Sequence, residues 1–167
     1  MTGEVEIAIR RADERDLPTL GRLGARLLRT HHAFDAARFM APGADPEGGY
    51  AWFLGTQIAE PDVVVLVAER GTGTVVGYAY AGLEPQSWKE LREPAGFVHD
   101  VVVDESAQGQ GVAMALMKAA IAWLRDRGAP RVLLWTAPQN AQAQHVFDKL
   151  GFRRTMIEMT RELGPAT

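Results

Sequence analysis

The sequence predicts an α/β fold: one domain over residues 1–167, with a central mixed sheet of splayed parallel strands flanked by helices on both faces. Three observations carry this. Short runs rich in Val alternate with segments whose apolar residues recur at helical spacing. The second half runs strand, helix, strand, a parallel βαβ unit, whereas the middle runs strand, tight turn, strand, which is antiparallel. At 167 residues and 47% hydrophobic content, the chain is long enough to bury a real core in one domain.

In chain order, Ile7–Arg10 is a short strand. Asp13 or Asp16 caps the next helix, with Pro18 in its first turn, where a missing N–H costs nothing. Leu20, Leu23, Leu27 and Leu28 keep helical spacing through His32. "APGADPEGG", Ala41–Gly49, predicts a loop, and Trp52, Phe53 and Ile58 give an apolar side to a helix over Tyr50–Ala59. "DVVVLVAERGTGTVVGYAYAG" predicts two strands around a Gly71-Thr72-Gly73 turn. A polar excursion follows, with one helical turn at Ser87–Arg92. Phe97–Val103 is a strand, and Gly111–Arg127 a helix stopped by Gly128 and Pro130. Val132–Trp135 has strand length, and Asn140–Leu150 is a helix with Ala143, Val146, Phe147 and Leu150 on one side. Phe152–Leu163, partly alternating, predicts a last strand.

Composition narrows the function. A formal charge of −3 argues against nucleic acid as a partner. The chain has no cysteine, which excludes disulfides, thiolate zinc sites and a cysteine nucleophile. His31 and His32 are adjacent, so on a helix they point about 100° apart, a poor metal pair, and no metal is expected. "MTGEVEIAIRRADERD" has no signal-type core, and the longest apolar run, Val63–Ala68, is far below the roughly 20 residues that span a bilayer. The expectation is a soluble cytoplasmic protein with no membrane partner.

The chemistry concentrates in "VVVDESAQGQGVAMALMKAA", Val101–Ala120. A strand leads through a glycine turn into a helix, whose first backbone N–H groups lack partners and whose dipole favours an anion. Gly109 and Gly111 have no Cβ, so phosphate oxygens can approach the main chain, or the glycines serve only the turn. A P-loop needs a lysine and a hydroxyl residue that "GQGVAM" lacks, and Met114 stands where a dinucleotide fingerprint has its third glycine. A nucleotide-binding domain is therefore the weaker alternative.

Gln108-Gly109-Gln110-Gly111-Val112-Ala113 instead resembles the acyl-coenzyme-A signature of the GNAT superfamily of N-acetyltransferases. "NAQAQHVFDKLGF", Asn140–Phe152, resembles the second landmark of that family, in the right order and at the right separation. The resemblance is strong from Phe97 to Phe152 and weak over Thr30–Asp62. It implies an acyltransferase that moves an acetyl group from acetyl-CoA to a primary amine by direct attack in a ternary complex. Many such enzymes are homodimers. A non-catalytic acyl-CoA-binding module is the alternative.

The resemblance also implies residue roles. Val101, Val102 and Val103 would border the pantetheine arm, with the backbones of Val101 and Val103 pairing to it and the Val101 N–H facing the thioester carbonyl. Gln108, Gly109, Gln110, Gly111, Val112 and Ala113 would wrap the pyrophosphate. Asn140 would cap its helix and touch the pantetheine or its neighbouring backbone. An amine with pKa about 10.4 must lose a proton before attack, which costs roughly 4–5 kcal/mol at pH 7. His99 is the candidate base, its ordinary pKa of about 6.5 lying near working pH, or else a hydrogen-bonded core histidine. Strict alternation puts His99 on one face with Val101 and Val103, and turns Asp100 to the other face unless a bulge rotates it, as an orienting or structural carboxylate in preference to the base. Phe147 stands where many relatives carry a tyrosine that protonates the leaving thiolate, and it cannot do so. His145 is expected on an exposed helix side. Trp88 either lines an acceptor pocket or packs at the surface, and Glu84 either attracts a cation or is a solvated charge.

Overall fold

The computed structural model describes residues 6–71 and 73–165, so Thr72 in the expected Gly71–Gly73 turn lies outside the described residues. Five strands, β1 (Ile7–Arg11), β2 (Val63–Arg70), β3 (Thr74–Glu84), β4 (Ala95–Val103) and β5 (Val132–Leu134), form one sheet in sequence order. The first three pairings are antiparallel, and β4 pairs parallel to β5. This is the mixed sheet that the hairpin and the βαβ pattern imply.

The helices are α1 (Leu17–Phe34), α2 (Pro46–Ile58), α3 (Val112–Asp126) and α4 (Ala141–Lys149). One core joins Leu20 and Leu23 of α1 and Leu54 of α2 to Val65, Val67, Tyr78 and Val102 of the sheet. The other joins Val112, Leu116, Met117, Ala120 and Leu124 of α3 to Val64, Leu66, Ala79 and Val98, with Phe147 and Leu150 of α4 packed against it. Helices thus cover both faces, as the alternation of apolar residues along the strands requires. No helix among the described residues is long and apolar enough to cross a membrane.

α1 and α2 pack very closely because Gly24 presents no side chain. A Cβ built there would lie 2.1 Å from the Tyr50 ring. Asp13 caps a short 3₁₀ turn, Glu14–Asp16, in a reciprocal box with Asp16, whereas Asp16 makes no side-chain cap to α1 itself.

Three expectations need correction. Helix α2 begins at Pro46, inside the stretch expected as loop: Asp45 caps it through the Gly48 N–H and Pro46 takes the first position, a start signal that overrides the two glycines. Ser87–Arg92 is not a helical turn but a tight turn closed by reciprocal backbone bonds between those two residues. No strand forms over Phe152–Leu163. The adjacent pair Met156-Ile157 breaks period-two patterning, and β5 is only three residues long. Side-chain contacts, Arg38 with Glu158 and Arg154 with Gln144, hold that segment instead, and Met156, Ile157 and Met159 remain 83–91% exposed.

Candidate active site

A cleft opens where β4 and β5 part. They pair only at Gly96–Val132, Phe97–Leu133 and Val98–Leu134, while β4 continues to Val103. The Asp104 N–H donates to the Val76 carbonyl, which makes Gly77–Val103 a non-hydrogen-bonded antiparallel pair. By alternation, the polar backbone groups of Val101 and Val103 turn away from β3 into the gap, and those of Val102 turn toward Tyr78 on β3. The Val103 carbonyl accepts from the Arg26 guanidinium. Val102, whose side chain is buried beneath α1 and α2, therefore offers the gap no polar group, contrary to the expectation that it borders the pantetheine.

The far end of the gap meets the N-terminus of α3. Gly109 and Gly111 sit in left-handed backbone, at φ +74° and +79°, and a Cβ at either would meet nothing within 4 Å. Gly111 is the residue preceding the helix and has no side chain with which to cap it. The first helical bond runs from the Ala115 N–H to the Gly111 carbonyl, so the N–H groups of Val112, Ala113 and Met114 precede the ladder. Gln108 and Gln110 are exposed beside them, with the Gln110 amide donating to the Ser106 carbonyl. The Val112 side chain is buried, so only its main chain faces the turn. Asp104, just upstream, is held down to about 2 by the Arg22 guanidinium and by bonds from Ser106.

The opposite wall is built from side chains. The register of β3 against β4 shifts at Tyr80/Ala81, with Tyr80 opposite Asp100 and Ala81 opposite Val98, so His99 is an extra residue in a β-bulge. The bulge breaks the alternation. Val98, Val101 and Val103 pack toward α3. His99 and Asp100 both turn toward α1 and α2. The His99 ring stacks between Phe97 and Tyr80, with centroids 4.6 and 4.8 Å away, and its Nε2 lies 3.2 Å from Glu84 Oε1. His99 thus does not share a face with Val101 and Val103, and Asp100 is beside it rather than opposite.

Asp100 is half-buried in the cavity wall. Its Oδ2 accepts from the hydroxyls of Tyr50, at 2.8 Å, and Tyr78, at 2.9 Å. Among the described residues no side chain donates to Oδ1. Burial raises the carboxyl above its ordinary value, an effect the two tyrosine bonds only partly oppose. Both tyrosine hydroxyls are pushed up by burial and by the adjacent carboxylate, so they stay protonated donors.

These walls enclose a cavity of about 450 Å³ that brings together His99, Asp100, Val101, Asn140, Ala143 and Phe147. Asn140 caps α4, its Oδ1 accepting from the Ala143 N–H. Phe147 lies edge-on to Phe152 at 5.9 Å and packs against the α3 core. Trp88, 83% exposed at the β3–β4 turn, and His145, on the exposed side of α4, lie outside the cavity lining. His31, Arg38, Phe39 and Tyr50 also line it, and sequence reasoning did not place them there. Only Tyr78 and Tyr80, two apart on one strand, carried a visible hint of an aromatic wall on that side. No group of three or more metal-ligating side chains occurs among the described residues.

Comparison with known proteins agrees with this geometry. Residues 28–152 match the model of the Acetyltransferase (GNAT) family. The chain belongs to the GNAT family. A mycothiol acetyltransferase of Cellulomonas flavigena is 32% identical over 170 aligned residues, covering 98% of this chain and 42% of the relative. One from Thermomonospora curvata is 33% identical over 125 residues, covering 72% of this chain and 39% of the relative. The chain therefore spans about two-fifths of the length of these GNAT relatives. Solved structures share the fold. A mutant of the BH1408 protein from Bacillus halodurans superposes with a TM-score of 0.79 at 20% identity, covering 93% of this chain and 99% of that one. Aminoglycoside N-acetyltransferase AAC(6')-Iy in complex with CoA superposes with a TM-score of 0.73 at 18% identity, covering 98% of both chains.

Proposed function

We propose that the chain transfers an acetyl group from acetyl-CoA to a primary amine by direct attack within a ternary complex. The observation that carries this is the splay: β4 outruns its pairing with β5 and leads into an uncapped helix start flanked by left-handed glycines. In this assignment the pantetheine arm pairs with the gap-facing backbone of Val101 and Val103, and its pyrophosphate accepts from the amides at the start of α3. Each such charge-assisted bond contributes about 1.5–3 kcal/mol, so a few suffice without a lysine.

The acceptor enters from the α1–α2 side as an ammonium, drawn by the free oxygen of Asp100. His99 takes its proton, the nitrogen lone pair attacks the thioester carbon, and the Val101 N–H donates to the developing oxyanion. The nitrogen gives its second proton to water, the C–S bond breaks, and the thiolate leaves and takes a proton from water, since Phe147 has none to give. A small-molecule amine suits a cleft of about 450 Å³, and small molecules appear in the names of both the curated relatives and the aminoglycoside enzyme. Assembly as a homodimer is a separate expectation, checked by sedimentation velocity.

The test follows free thiol released from acetyl-CoA across a panel of aminoglycosides, polyamines, amino acids and peptides. Amine-dependent release supports the transferase. Tight CoA binding with no release under any amine would replace it by an acyl-CoA-binding module, and no calorimetric uptake of CoA would overturn both.

A further inference from the structure

We infer that Glu84 is a positioning residue for His99, fixing its ring and its tautomer so that Nδ1 is the nitrogen offered to the acceptor. The inference rests on the proposed acetyl transfer with His99 as base. Glu84 ends β3, and its Oε1 lies 3.2 Å from His99 Nε2. The imidazole is confined between the Phe97 and Tyr80 rings, with interplanar angles of 15° and 29°, so it can slide little and its two nitrogens are distinguished by position. A carboxylate cannot donate, so the nitrogen facing it must carry the proton. The remaining nitrogen, Nδ1, then holds the lone pair that accepts a proton from the ammonium. The carboxylate thus holds the Nε2–H while Nδ1 takes up the proton, so the ring does not have to turn during the transfer.

The other titratable or charged groups around this ring are Tyr80 on β3, which stacks on it, and Asp100 on β4, Tyr50 on α2, His31 near the end of α1 and Arg38 in the loop beyond, which line the same cavity. Asp100 is not the orienting partner: its side-chain bonds go to the two tyrosine hydroxyls, and the His99 ring is bonded to Glu84 instead. Glu84 is half-exposed, its side chain 35% accessible, so solvent moderates its effect.

The experiment compares Glu84→Gln, His99→Ala and the double variant in the acetyl-CoA assay, with CoA affinity measured in parallel. Glu84→Gln keeps an acceptor oxygen but removes the charge. The expected result for His99→Ala is the loss of the acidic limb of kcat/KM, and for Glu84→Gln a several-fold lower kcat with CoA affinity unchanged. In the His99→Ala background the same substitution should change nothing further. Nitrogen NMR of labelled histidine should show His99 protonated at Nε2 in the parent and a tautomer mixture in Glu84→Ala. If His99→Ala removes the acidic limb while Glu84→Gln leaves kcat at the parent value, or if the two losses multiply, the Glu84 role is overturned and the His99 base stands. If His99→Ala leaves the limb untouched, the base assignment itself falls.

Discussion

The two walls of the cleft are made of different material. On the side of α3, the groups that face a ligand are main-chain amides: the splayed end of β4 and the helix start after Gly111. On the side of α1 and α2 they are side chains brought from distant parts of the chain: Tyr50, His99 and Asp100, backed by Tyr78 and Glu84. A backbone site tolerates sequence change as long as the turn geometry is kept, so it suits a cosubstrate shared by a whole family. A side-chain site changes with every substitution, so it suits an acceptor that differs between members. Substitutions on the two walls should therefore fail in different ways, one in CoA affinity and the other in turnover or acceptor use.

The largest separation is expected from His99→Ala. Removing a general base typically costs about 10²–10⁴-fold in rate. Turnover should fall by that order, most at neutral pH, while calorimetric CoA affinity stays at the parent value. Gly111→Val attacks the other wall. Its φ of +79° is strained for a β-branched residue, and the side chain would project into the open space above the helix start. CoA affinity should drop by about a hundredfold or more, the value of two lost charge-assisted bonds at the low end of their range. Circular dichroism should show the fold retained. A variant titrating like the parent would remove the pyrophosphate from that turn.

The same contrast explains what could be read from the chain beforehand. Gln108–Ala113 and Asn140–Phe152 are contiguous stretches, so the glycine turn before α3 and the Asn140 cap of α4 were legible. The strand order of the βαβ half followed for the same reason. The acceptor wall was not, because it hangs on the one-residue bulge at His99. No composition signal marks that bulge, and it reverses the face assigned to His99. Tyr50 was hidden further by the mistaken loop over Ala41–Gly49: once Asp45 is seen as a cap and Pro46 as the first helical residue, α2 starts four residues before Tyr50.

Gly24 then explains how Tyr50 reaches Asp100, and a methyl group there tests it. In Gly24→Ala the new Cβ would overlap the Tyr50 ring, forcing α1 and α2 apart. Overpacking of this kind costs about 1–3 kcal/mol. For a chain of 167 residues that lowers Tm by several degrees, with acceptor KM raised and CoA affinity kept. An unchanged Tm would mean that the two helices have more freedom than their packing implies.

The smallest expected effect is the sharpest on what Asp100 is for. Its carboxyl is raised by burial, from an ordinary value of 3.8. The ionised form is therefore less favourable in the folded protein than in the unfolded chain, and the group lowers stability as pH rises above 3.8 toward and through the folded value. Below 3.8 the carboxyl is protonated in both states and that penalty vanishes. In Asp100→Asn, the amide oxygen has two lone pairs and can keep both tyrosine bonds, while the charge is gone. The Tm of the variant should match or exceed the parent by a few degrees at pH 8, and the two should converge near pH 4. Acceptor KM should rise at the same time. A carboxylate retained against its own stability cost has its use in the ligand it meets, as strained and buried charges at functional sites generally do. A variant that is less stable at pH 8 and binds acceptor normally would make Asp100 a structural pin between α2 and β3 instead.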